Sequence, residues 1–142
     1  MIDYEQLLQE DVAGYSGPHA ELIQHVPALY GLLTRMLVDA SLPPRLRPLV
    51  ISSIAYFNLQ GDVLPEDLEG PRGYVDDLFY CAFVIDQICR ELESEKILIE
   101  NWSGEVPIVP LVHHILSQEK ELIGEKRALV LWFIGYDYLP KS

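Results

Sequence analysis

The chain has 142 residues, 49% hydrophobic and 23% charged, which is enough apolar material for one folded domain and too much for a disordered segment. Its 22 acids oppose 10 bases for a net charge of −12, which argues against a nucleic-acid backbone or an anionic membrane surface as partner, because both would repel it. A basic partner protein, a cationic ligand or a divalent metal is compatible with that charge, and so is solubility alone.

The N-terminus, MIDYEQLLQED, is acidic and lacks the apolar core of a signal peptide, so the expected location is cytoplasmic. Apolar spacing predicts a first helix over 4–12 that ends near Gly14. A second helix is expected after Ser16-Gly17-Pro18, since proline suits a first helical turn. Along it Leu22, Val26, Leu29, Leu33, Met36 and Ala40 alternate spacings of four and three, the mark of an amphipathic helix. Pro27 removes a backbone donor inside that stripe and predicts a kink or a break into two helices.

SLPPRLRP is the next boundary, and a third long helix is expected over 45–59, with Leu46, Val50, Ser53 and Phe57 on one face. The acidic connection 61–77 follows. The fourth helix has the cleanest pattern, with Val75, Leu78, Ala82, Ile85, Cys89 and Leu92 stepping by three and four. Residues 93–102 either continue that helix or form a short one of their own. A turn is expected at 103–107, then helices over 107–123 and 125–138, with Gly124 either capping the first or lying inside one continuous helix. The last of these is apolar almost all round, from Leu129 to Ile134, and suits either the core or a subunit interface. No apolar run approaches the roughly 20 residues of a membrane helix.

These patterns predict an all-α fold, a single domain over 1–142 built as a compact bundle of five to seven helices around a central helical hairpin. KILIE, 96–100, is the one strand-like scrap, and it has no pairing partner.

The connection GDVLPEDLEGPRGYVDD, 61–77, holds six acids against Arg72 alone. Tyr56-Phe57, then Asp62-Val63-Leu64-Pro65, then Gly73-Tyr74-Val75-Asp76-Asp77, followed by an apolar helix, resembles the hallmark of the YkvA-like domain family over about residues 45–90. Here Gly61 stands where that family's pattern has a proline, and Glu66 where it has an aspartate. The resemblance implies a helical domain whose biochemical role is not established, in a family many of whose members look membrane-associated.

Two accounts of the acids follow from the residues themselves. In the structural account, Gly73 caps the fourth helix, and Asp76 and Asp77 sit at the positive end of its dipole, worth about 0.3–1 kcal/mol each. Asp62, just past the third helix, then accepts backbone N–H bonds in an Asx-turn. In the functional account, the hairpin gathers Asp62, Asp76 and Asp77 into an oxygen-rich site for Mg²⁺, Mn²⁺ or Ca²⁺. The structural account is the leading expectation, with no catalytic residue and no cofactor assigned. The corresponding function is a non-catalytic acidic helical interaction or accessory module, with a protein partner or a homo-oligomer through the last helix. The alternative is a divalent-metal-dependent hydrolase of phosphoester or diphosphate substrates.

Other residues point to structure rather than chemistry. Adjacent His113 and His114 diverge by about 100° on a helix, so one is expected to be semi-buried and the other exposed. Cys81 and Cys89, eight residues apart on one helix, are separated by about 12 Å, too far for a disulfide, and are expected to be small buried hydrophobes. Asp86 has Arg90 at i+4 as an ion-pair partner. Trp102 and Trp132 are expected to pack rather than to bind a ligand.

Overall fold

The computed structural model describes residues 4–14, 16, 19–63 and 75–118, with the side chains of 4, 5, 11, 56–63 and 75–77 outside that description. Seven α-helices occur among them: α1 (Tyr4–Val12), α2 (Ala20–Ile23), α3 (Val26–Leu37), α4 (Arg47–Val63), α5 (Val75–Leu92), α6 (Lys96–Asn101) and α7 (Ile108–Ser117). A single 3-10 turn, Pro44–Leu46, leads into α4, and no strand occurs among the described residues. The fold is all-α. The expected last helix, 125–138, with Trp132, lies outside the described residues.

The proline rules act as expected in the first half. The stripe from Leu22 is broken into α2 and α3, and Pro27 falls at the start of α3, where its missing donor costs nothing. Leu22, Val26, Leu29, Leu33 and Met36 are all buried, whereas Ala40 is exposed because α3 has already ended at Leu37. Past that end, Asp39 folds back on Ser41, its Oδ1 accepting from the Ser41 N–H and hydroxyl, both at 2.8 Å. This Asx-turn and the 3-10 turn reverse the chain into α4.

Helices α4 and α5 form an antiparallel hairpin. Arg45, just before α4, pairs with Glu91 near the end of α5, while Ser53, in mid-α4, meets Cys81 early in α5 at 3.8 Å. Among the described residues Ser53 is the buried polar residue of the core, and the thiol beside it is its neighbour across the seam. One hydrophobic cluster runs through all the described helices, from Leu8 of α1 to Ile115 of α7.

The stripe read on α5 understates its burial. Every residue from 78 to 85 is buried, on all sides of the helix. The reason is position: α5 packs against α2, α3, α4 and α7, and α3 packs against α1, α4, α5 and α6. The pair α3 and α5 is therefore the centre, with α4 beside it.

Residues 93–102 do not continue α5. Glu93 takes a left-handed φ of 51°, the Ser94 N–H donates to the Cys89 carbonyl at 3.1 Å, and the Glu93 N–H donates to the Arg90 carbonyl at 3.3 Å. That is a Schellman stop built on a residue other than glycine. The Ser94 hydroxyl then accepts from the Lys96 N–H at 3.1 Å and α6 begins, so KILIE is helical. Because the left-handed region costs an L-residue about 1–2 kcal/mol, partly offset by the greater freedom of an unfolded glycine, Glu93→Gly is expected to raise stability by up to about 1 kcal/mol. A higher urea midpoint would show it, and a lower one would mean that the Glu93 side chain contributes more than its backbone costs.

Candidate functional site

The backbone places the three singled-out aspartates at one end of the hairpin. Asp62 is the penultimate residue of α4, and Asp76 and Asp77 are the second and third of α5. Their side chains lie outside the described residues, as do Gly73, Pro65, Glu66, Asp67 and Arg72. One expectation is corrected. Asp62 does not follow α4 in an Asx-turn, because α4 runs on through Gly61 and Asp62 to Val63. A glycine alone does not end a helix whose backbone hydrogen bonds are still available, and the third helix is longer than the 45–59 predicted. Asp76 and Asp77 do occupy the first turn of α5, where the helix dipole favours negative charge.

At the opposite end of the hairpin lies a polar knot that joins α3, the start of α4 and α6. Arg35 Nε donates to the Asn101 carbonyl at 2.7 Å, and its second arm reaches Ser103 Oγ at 3.1 Å. Asn101 Nδ2 donates to Asp39 Oδ2 at 2.8 Å, and Arg47 donates to the Leu37 carbonyl. The amide of Asn101, then the Ser41 donors, hold the Asp39 carboxyl below its ordinary value. The knot satisfies carbonyls left open at the C-terminal ends of α3 and α6. Nothing local in the sequence signals it, because the partners of Arg35 and Asp39 on and beyond α6 lie 62 to 68 residues away.

The α6–α7 loop is organised by Trp102. Its indole N–H donates to the Val106 carbonyl at 2.7 Å, and the ring packs against the core cluster. A Cβ at Gly104 would stand 2.1 Å from Trp102 Cζ2, so only glycine passes under the ring. Trp102 is thus a packing residue, as expected.

An open cleft of about 310 Å³ separates the α2–α3 corner from α7, lined by Glu21, His25, Val106, Pro107, Leu111 and His114. His25 is half-buried there, and desolvation lowers its pKa, with Glu105 pulling weakly the other way. The charged imidazolium is thus favoured in the unfolded chain. The folded pKa lies below the unfolded value of 6.5, so the unfolded chain binds more protons between the two. The contribution of His25 to stability is therefore complete above about pH 6.5 and is lost as pH falls through its folded pKa. His25→Gln is expected to flatten the wild-type stability profile in that acid window. Equal slopes in wild type and variant, measured by thermal unfolding across pH 7.5 to 5, would refute the assignment.

The remaining residues resolve simply. Arg90 and Asp86 pair at 2.8 Å, as the i+4 spacing predicts. His113 and His114 are both exposed, which corrects the expected half-burial of one, because Ile108, Leu111, Val112 and Ile115 already fill the inner face of α7. Cys81 is fully buried. Cys89 is only half-buried, and burial, then Glu95 and Asp86, push its thiol up to about 11, so it is not a thiolate near neutral pH. Among the described residues, no three His, Cys, Asp or Glu side chains are grouped to hold a metal, and no helix is long and apolar enough to cross a membrane.

These features define an acidic all-α protein whose described Lys and Arg side chains are held by partners within the chain. The chain is similar to uncharacterized protein ORF9 of Methanothermobacter thermautotrophicus, with 27% identity over 135 residues that cover 94% of this chain and 91% of that one. The likeness spans nearly the whole length and is not confined to the hairpin. No family model and no solved structure matches the chain.

Proposed function

We propose that the protein is a non-catalytic acidic helical module that works by interaction, with a basic partner protein or with further copies of itself, in the cytoplasm. The observation that carries this reading is the disposition of positive charge. Among the described residues every Lys and Arg is engaged within the chain: Arg35 with Asn101 and Ser103, Arg45 with Glu91, Arg47 with the Leu37 carbonyl, Arg90 with Asp86, and Lys96 with Glu100. With a net charge of −12 over the whole chain and each described Lys and Arg matched within it, a cationic surface is the complementary partner. The YkvA-like resemblance of residues 45–90 belongs to the same proposal, supported by two helices flanking the acidic connection.

A second reading, a divalent-metal-dependent hydrolase, is favoured by the hairpin geometry, which brings the backbone positions of Asp62, Asp76 and Asp77 to one end. The two readings differ in thermal unfolding of Asp62→Asn and Asp76→Asn with and without millimolar Mg²⁺, Mn²⁺ or Ca²⁺. For the interaction module, Asp76→Asn loses about 0.3–1 kcal/mol of dipole stabilisation, and Asp62→Asn gains a comparable amount, because residue 62 falls in the last turn of α4, where the helix dipole disfavours negative charge. The cations then change nothing. A metal-dependent rise in melting temperature that both substitutions abolish would replace the module with the hydrolase.

A further inference from the structure

We draw no further inference here: the strongest candidate, the open cleft where His25 and Glu21 of the α2–α3 corner line one wall and His114 of α7 the other, does not group these three side chains to hold a metal and has no buried polar group aimed into it, so it rests on the depressed basicity of His25 alone.

Discussion

Phe79→Ala is expected to cost about 3–5 kcal/mol, the largest single-residue effect among the described positions. Phe79 is fully buried on α5, in the stretch that is enclosed on every side, and its ring lies 6.0 Å from that of Phe83 in a tilted arrangement. Truncation removes both the transfer energy of the ring and its contacts with helices on several sides, which cannot all move inward to fill the gap. Urea unfolding followed by circular dichroism measures the loss as a lower midpoint at unchanged slope. Ile99→Ala is the control. Ile99 lies in the apolar centre of KILIE but is 60% exposed, so its truncation is expected to stay within about 0.5 kcal/mol. Similar losses at the two positions would contradict the central placement of α5.

Arg35→Met is expected to cost about 1.5–3 kcal/mol, the range for hydrogen bonds from a charged donor to a partly buried acceptor. The substitution keeps an unbranched apolar stem beside α6 and deletes the guanidinium. It leaves the Asn101 carbonyl, at the C-terminal end of α6, without its 2.7 Å donor. Ser103→Ala removes only the weaker arm, at 3.1 Å and exposed, and is expected to cost much less. If the two variants unfold at the same urea concentration, the knot does not hold α6 to α3.

Both predictions depend on contacts between residues far apart in the chain, and the sequence speaks unevenly about them. The buried stripe from Leu22 to Met36 and the break beside Pro27 were legible, because helix periodicity and the missing proline donor act within a turn or two. The Asp86–Arg90 pair was legible for the same reason. Of the candidate site, the sequence showed which acids flank the hairpin connection and that Asp76 and Asp77 would begin a helix. It misjudged Asp62, because the preceding Gly61 reads as a terminator while α4 continues through it.

Local pattern by itself determined the helical class, the order of most described helices and which face of α3 turns inward. Only the tertiary structure decided that α5 is enclosed on all sides, that α3 shares the centre with it, and that Arg35, Asp39 and Asn101 meet at one end of the bundle. The physical reason is range. A side chain's preference for helix or cap is set by neighbours three or four residues away, whereas burial and long hydrogen bonds are set by which helices lie alongside, and a stripe of apolar residues does not name its partner.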